Sequence, residues 1–192
     1  MRIPGIGSSG FPGRRWPSLP IRTDRLVLRL PDLHDVDSIR RACADPSTRR
    51  GIPFLSNPYL RRHAVEYVRK KRLQFRRRDS LPLAIVARAD GAFVGMIELM
   101  PRSSTDRVAE LGYWIAPDQR GRGYATEAAR AMCDLGFDLL RLHRIEAGAL
   151  ARNHASIRVL HHAGFLHEGL LKARARVGRL WLDQVTLARL AR

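Results

Sequence analysis

The stretch Ile115-Ala116-Pro117-Asp118-Gln119-Arg120-Gly121-Arg122-Gly123-Tyr124-Ala125-Thr126-Glu127 joins an apolar, strand-like segment to a helix through a glycine-rich turn. Gly121 and Gly123 let the backbone fold tightly and bring its N–H groups close to a ligand without interference from a Cβ. The first turn of the following helix leaves its N–H groups unpaired and carries partial positive charge. Together these features form an anion site suited to a pyrophosphate. Arg120 and Arg122 add charge for a peripheral phosphate. The loop lacks the third glycine of a dinucleotide fingerprint and the lysine of a P-loop. Taken alone it is an ordinary strand-to-helix turn.

The elements around this loop position it. Leu26, Leu28 and Leu30 alternate with Val27 and Arg29 and predict a strand, stopped by Pro31-Asp32. Asp35 is the expected N-cap of a helix reaching Ala44. A second helix is expected after Ser56-Asn57-Pro58, with proline early in it, running through Ala64, Val65, Val68, Leu73 and Phe75. Leu83–Ala89 and Ala92–Met100 predict a hairpin turned by Asp90-Gly91 as a tight type I′ turn. A strand at Val108–Ile115, a helix at Tyr124–Leu140, a strand at Arg144–Leu150 and a short helix at His154–His162 follow, with Gly164 as a helix C-cap. Strands at Phe165–Arg174 and Leu180–Leu190, joined through Val177-Gly178, complete the chain. Antiparallel pairing first and a strand–helix–strand crossover later imply an α+β mixed sheet with helices on its faces.

With 192 residues the chain is expected to form one domain with a self-sufficient core. Residues 1–20, rich in Gly, Pro and Ser, read as an extended tail that Phe11 and Trp16 could pin to a domain spanning 21–192. Cys43 and Cys133 stand far apart with no ligand spacing around them, which speaks against zinc or a disulfide scaffold and for a reducing, cytoplasmic setting. No apolar run approaches the roughly 20 residues of a membrane span. Basic residues outnumber acidic ones 35 to 18, and only Lys70, Lys71 and Lys172 are lysines. Arginine forks pair bidentately with phosphate, but genomic codon bias accounts for such a composition equally well.

The pattern Arg120-x-x-Gly123-x-Ala125 resembles the acyl-CoA pyrophosphate loop of the GCN5-related N-acetyltransferases (GNAT superfamily). Ala109-Glu110-Leu111-Gly112-Tyr113-Trp114-Ile115 is similar to that family's splayed fourth strand, and Asn153-His154-Ala155-Ser156-Ile157-Arg158-Val159-Leu160 with Ala163-Gly164-Phe165 to its next helix. Thr23-Asp24-Arg25-Leu26-Val27-Leu28-Arg29 and Glu168-Gly169 resemble the branch that acetylates ribosomal-protein N-termini, the RimJ and RimL type. The resemblance runs from Ile21 to the C-terminus. It implies a mixed, mostly antiparallel sheet of about seven strands, splayed at the fourth and flanked by about four helices.

The resemblance also implies roles. Backbone amides of Gly121, Arg122, Gly123, Ala125 and Thr126 would hold the pyrophosphate of acetyl-CoA, with Arg120 beside them. The exposed backbone of Trp114 and Ile115 would pair with the pantetheine arm, and Gly112 fits a bulge or close approach there. Asn153 would bind a pantetheine amide, or simply cap its helix. Ser156, one turn further on, matches the residue that protonates the departing thiolate; otherwise it is a helix serine bonded to its own backbone. Glu110 is a candidate base, directly or through water, and equally an ion-pair partner for a nearby arginine. Asp183 is a further carboxylate that could reach the acceptor. The segment Lys172-Ala173-Arg174-Ala175-Arg176 lacks the carboxylate that relatives carry after the Glu-Gly pair, which leaves both base and ribosomal substrate open. An α-amine with pKa near 8 is partly neutral at pH 7 and can dispense with a base. His161 and His162, near a helix end, suit the dipole better than chemistry.

The expected activity is acetyl transfer from acetyl-CoA to a primary amine, either a protein N-terminus or a small molecule, by direct attack in a ternary complex. The alternative is a non-catalytic module that binds CoA or RNA on the same fold. Between Arg61 and Arg78 stand nine Lys or Arg residues and Glu66 as the one acid, so proximity to a ribosome or RNA is expected, with a solvated helix face as the simpler account. The same field would repel polyamines. No membrane partner is expected, and the sequence is compatible with a monomer or a homodimer.

Overall fold

The computed structural model describes residues 11–12, 15–52, 55–177 and 179–191. The alternation at the first predicted strand is realised: in β2 (Leu26–Arg29) Leu26 and Leu28 are buried while Val27 and Arg29 are half-buried. β3 (Leu81–Ala87) is apolar and buried along its whole length, as a strand covered on both faces must be. It is flanked by β2 and β4 (Phe93–Ser103), and β4 by β5 (Val108–Ile115), all antiparallel. β6 (Arg144–Leu150), β7 (Leu166–Val177) and β8 (Leu180–Leu190) complete the sheet with a short β1 (Ile21–Arg22) at the other edge. The order is β1-β2-β3-β4-β5-β6-β8-β7. Among the described residues there are eight strands rather than about seven, because Ile21–Arg22 folds back onto Val27-Leu28; the splayed strand expected as the fourth is therefore β5.

The helices among the described residues are α1 (Val36–Ala44), α2 (Pro46–Gly51), α3 (Arg61–Arg77), α4 (Tyr124–Asp138) and α5 (His154–His162). α2 was not expected; Asp45 caps it by accepting from Ser47 N at 2.7 Å, with Pro46 in its first turn. α3 begins at Arg61, so Pro58 precedes it rather than lying within its first turn. Asp35 occupies the N-cap position of α1 without capping it, because its carboxylate takes both Arg29 nitrogens at 2.7 and 2.8 Å. The β3–β4 hairpin forms, but Ala87 N closes on Ala92 O at 2.9 Å across a four-residue loop, and only Gly91 has positive φ (71°); a type I′ turn needs two such residues. Gly164 ends α5 at φ 88°. Gly178 and residues 1–10 lie outside the described residues. Phe11, Trp16 and Leu19 pack on the core, Trp16 against Phe75 at 5.3 Å between ring centroids.

α4 and α5 cover one face of the sheet, with Ala128, Ala129, Met132, Cys133 and Leu160 in the main core. α1 and α3 cover the other, where Val36, Ile39, Ala64 and Val68 meet Trp114 and Phe93. β5 divides its side chains between the two layers, Tyr113 toward the first and Trp114 toward the second.

Close approach of β4 and β5 depends on Gly95 rather than Gly112. A Cβ at 95 would lie 2.1 Å from the Trp114 carbonyl oxygen and 3.0 Å from Ile115 Cα, whereas one at 112 would meet only the flexible end of Met100 at 3.2 Å. Gly95→Ala should therefore destabilise the protein by about 1–3 kcal/mol, since backbone cannot yield cheaply. Urea denaturation should show a lower midpoint at unchanged slope. A midpoint equal to the parent's would mean that the two strands are not seated this tightly.

Candidate active site

β5 and β6 run parallel but pair only at Val108↔Arg144, Ala109↔Ile145 and Glu110↔Glu146. Beyond Glu110, β5 keeps its ladder to β4 as far as Ile115, and β6 keeps its ladder to β8 as far as Leu150. The sheet thus opens into a wedge in its middle. Each wall carries backbone N–H and C=O groups facing no strand, and an extended ligand rich in amides satisfies such an edge as an added strand would. A Cβ at Gly148 on the β6 wall would lie 1.8 Å from Gln184 Nε2, so the Gln184 side chain lies against that wall.

The glycine loop sits at the open end of the wedge. Gly121 and Gly123 adopt φ 77° and 78°, and Gly123 is the N-cap of α4. The first helical bond closes from Glu127 N to Gly123 O at 3.1 Å. Among the described residues the amides from Gly121 through Thr126 have no acceptor, a run that includes Tyr124 beside those expected from sequence. A row of free N–H groups at a helix N-terminus is what a pyrophosphate requires. Splay, left-handed glycines and free amides together fit the nucleotide and pantetheine parts of acetyl-CoA.

Arg120 does not offer its guanidinium to this loop's ligand face. Nε donates to Ile115 O at 3.1 Å, and the terminal nitrogens donate to Ser47 Oγ and Thr48 Oγ1, each at 2.7 Å, tying the loop to α2. The Ile115 carbonyl is consequently engaged, while Arg122 is exposed and its guanidinium donates to Asp118 O at 3.3 Å.

A second brace was invisible in the sequence. Glu127 accepts from Thr23 Oγ1 at 2.6 Å, Arg25 N at 2.8 Å and Arg25 Nε at 2.7 Å. Arg25 also donates to Arg122 O at 3.0 Å and lies over the Tyr124 ring at 5.2 Å. The turn before β2 therefore latches the loop and the first turn of α4. Burial would raise the Glu127 carboxyl, but the bonds from Thr23 and Arg25 outweigh it and hold it below the usual carboxylate range. A depressed folded pKa contributes stability above the ordinary value of 4.5 that is lost as the pH falls through the folded value. Arg25→Ala should raise KM for acetyl-CoA about tenfold, the scale of one charge-assisted hydrogen bond, with kcat kept within about twofold. Steady-state kinetics at saturating amine checks this, and an unchanged KM would remove the latch from cofactor binding.

α5 brings the next group of residues to the wedge. Asn153 caps the helix, Oδ1 accepting from Ser156 N at 3.2 Å. Its Nδ2 faces Gly51 at the end of α2, 3.6 Å from where a Cβ there would stand, and so points across the site. Ser156 bonds to a side chain rather than back to its helix. Tyr113 Oη lies 2.8 Å from Ser156 Oγ and donates to Ser156 O at 3.1 Å, linking β5 to α5 across the opening. Burial pushes the Tyr113 phenol up to about 12, so it stays protonated at neutral pH. Sequence reasoning named Ser156 but assigned Tyr113 no role; only the fold brings the two hydroxyls together.

Glu110 lies on the α1/α3 side of β5 and forms an ion pair with Arg102, through Oε2; Oε1 has no partner among the described residues. Asp183 is held by Ala173 N at 2.9 Å and Lys172 Nζ at 3.2 Å, where it stabilises an irregularity of β7 at which Ala173 has φ 48°. Glu168 pairs with Arg144. Cys43 and Cys133 are buried, and burial pushes both thiols up to about 12. Among the described residues no cluster of His, Cys, Asp or Glu could hold a metal, and no helix is long and apolar enough to cross a membrane.

The Acetyltransferase (GNAT) domain family matches residues 25–166. The chain belongs to this family. It is 34% identical over 132 residues to the probable N-acetyltransferase YjcK of Bacillus subtilis, covering 66% of this chain and 72% of that protein. It is 34% identical over 93 residues to the spermidine N(1)-acetyltransferase of Escherichia coli, covering 48% and 50%. Its fold matches Mycobacterium smegmatis RimJ, solved in complex with CoA-disulfide, with TM-score 0.78 and 29% identity over 86% of this chain and 82% of that one. The protein is an acetyl-CoA-dependent N-acetyltransferase.

Proposed function

We infer that the protein acetylates the α-amine of a protein N-terminus, or a small-molecule amine, by direct attack within a ternary complex. The observation that carries this reading is the continuity of the site: the free amides of residues 121–126 lead into the β5–β6 wedge, and the wedge ends at the Ser156–Tyr113 pair.

Acetyl-CoA supplies an activated acetyl group whose C–S bond breaks as the amine nitrogen forms its new C–N bond. The chain's own residues have three tasks in that exchange. Backbone N–H groups of the β5 wall polarise the carbonyl where negative charge develops. Ser156 Oγ–H, held by Tyr113, donates a proton at the sulfur and recovers one from solvent, to which Glu110 in turn releases the proton it takes from the amine. The proton released by the amine passes to Glu110 Oε1, the unpaired oxygen, directly or through water. An α-amine that is already partly neutral places little demand on that last step.

Identity of 41% over 85 residues to the putative ribosomal N-acetyltransferase YdaF of Bacillus subtilis favours a protein acceptor, and the charge of +17 disfavours a polycationic acceptor of the kind named for the spermidine relative. Incubating the protein with acetyl-CoA, a peptide library varied at its first residues and a polyamine panel, with mass spectrometry and free-thiol release as readouts, tests this. N-terminally acetylated peptides are expected. Polyamines as the only products would overturn the preference for a protein N-terminus, and no product from any amine would overturn the catalytic assignment.

A further inference from the structure

The arginine-rich composition alone leaves the cations without a purpose; the fold shows which of them are engaged and where the others gather. Arg25, Arg29, Arg102, Arg144 and Arg189 each meet a carboxylate, and Arg120 is held by two hydroxyls and a carbonyl. On α3 the arrangement differs. Arg62, Arg69, Lys70, Arg76 and Arg77 are all exposed, and among the described residues their side chains have no ion-pair or hydrogen-bond partner. At 100° per residue they share an arc of roughly 120°, with exposed Leu73 near its middle and Glu66 as its one acid. The opposite side of the helix is anchored: Ala64 and Val68 are buried in the core, and Lys71 is bonded to Glu98 at 2.5 Å. Neighbouring basic residues outside the arc are likewise engaged, Arg61 with Asp37, Arg72 with Pro31 O and Arg78 over the Trp16 ring. Genomic bias toward arginine explains how many there are. Other exposed arginines, Arg22, Arg50, Arg107, Arg141, Arg152 and Arg158 among them, also have no side-chain partner among the described residues, but no other helix described aligns five such cations on one arc.

We propose that this face of α3 is a docking surface for the phosphate backbone of a nucleic acid, separate from the acetyl-transfer site. From residue 62 to 77 the cations extend along about 22 Å of helix at 1.5 Å per residue. They fall at 62, 69–70 and 76–77, two turns or roughly 10.5 Å apart, about three phosphate steps of one strand at 3.4 Å each. Four of the five are arginines, whose forks take phosphate oxygens in pairs. An acidic protein is the weaker match, because specific protein interfaces have a core depleted of charge, and only Leu73 on this face is a large apolar side chain. Tyr67 and Phe75 face inward, which leaves no aromatic to stack on bases, so recognition is of backbone rather than sequence.

Fluorescence anisotropy with a 20-base-pair RNA duplex, the matching DNA duplex and poly-glutamate, between 50 and 200 mM salt, tests the surface on the full chain. Five phosphate contacts predict a log–log salt slope near −4.5, a fall of roughly 500-fold in affinity across that range. The variant R69Q/K70Q/R76Q/R77Q should retain about one contact and fall only three- to fourfold, at an unchanged melting temperature. Comparable binding of both duplexes is expected from backbone contact; preference for RNA would add contacts to its 2′-hydroxyls within the same surface. A slope near zero, a variant that keeps the parent's slope, or binding to poly-glutamate in preference to both duplexes would each overturn the proposal. A single Arg62→Gln variant, which removes one exposed side chain, should shift the slope by about 0.9 and serves where the fourfold variant fails to fold.

Discussion

A Gly123→Val variant should lose about 100-fold or more in acetyl-CoA affinity while still folding. Gly123 holds φ 78°, a region that excludes β-branched residues. Steric contact is the lesser problem: a Cβ there would meet Arg25 Nη2 at 3.3 Å, the far end of a flexible side chain. The larger effect is on direction. With valine the residue must leave the left-handed region, and the amides of residues 121–126 turn with it, so the row of donors no longer converges on one anion. Alanine at the same position should give a smaller loss, because the left-handed conformation costs an L-residue only about 1–2 kcal/mol. Isothermal titration with acetyl-CoA, alongside melting temperatures, measures this. Full affinity in the valine variant would refute the pyrophosphate assignment.

The second large effect is expected at the hydroxyl pair. Ser156→Ala should lower kcat by about 10²-fold or more, the range of a lost general acid, with KM for acetyl-CoA little changed. Asn153 caps the backbone amide of residue 156 rather than its side chain, so the helix survives the substitution. Tyr113→Phe removes only the group that holds the serine hydroxyl and should cost less, roughly tenfold. The double variant should be no slower than Ser156→Ala, since both changes disable one unit. Because burial raises the Tyr113 phenol to about 12, neither the parent nor Tyr113→Phe should show a rate loss from this group below about pH 10. Stopped-flow or steady-state rates at saturating substrates decide the matter: kcat within about threefold of the parent in Ser156→Ala would take the proton donor elsewhere.

Local pattern was enough to place most elements. Val108–Ile115, Arg144–Leu150 and His154–His162 are found with the bounds that apolar periodicity and Asn153 imply, because each is a self-contained period ended by its own Pro, Asn or Gly. α2 escaped notice because Pro46-Ser47-Thr48-Arg49-Arg50-Gly51 has no apolar face; Asp45 and the contacts of Thr48 with Arg120 hold it. The type I′ turn failed because closure at Ala87 and Ala92 is set by strand register, which Asp90-Gly91 alone does not determine.

For the site, spacing along the chain determined what is local: the left-handed glycines, the helix start that leaves amides free, and the separation of Asn153 from Ser156 by one turn. These depend on backbone geometry within a few residues, so sequence alone carries them. The tertiary structure decided everything that needs two distant segments to meet. It turned Arg120 away toward α2, set Arg25 and Thr23 on Glu127 across more than a hundred residues, and brought Tyr113 to Ser156 across the opened sheet. Which partner a long, charged or hydroxylated side chain takes depends on what packing brings within about 3 Å, and no periodicity in the chain encodes that distance.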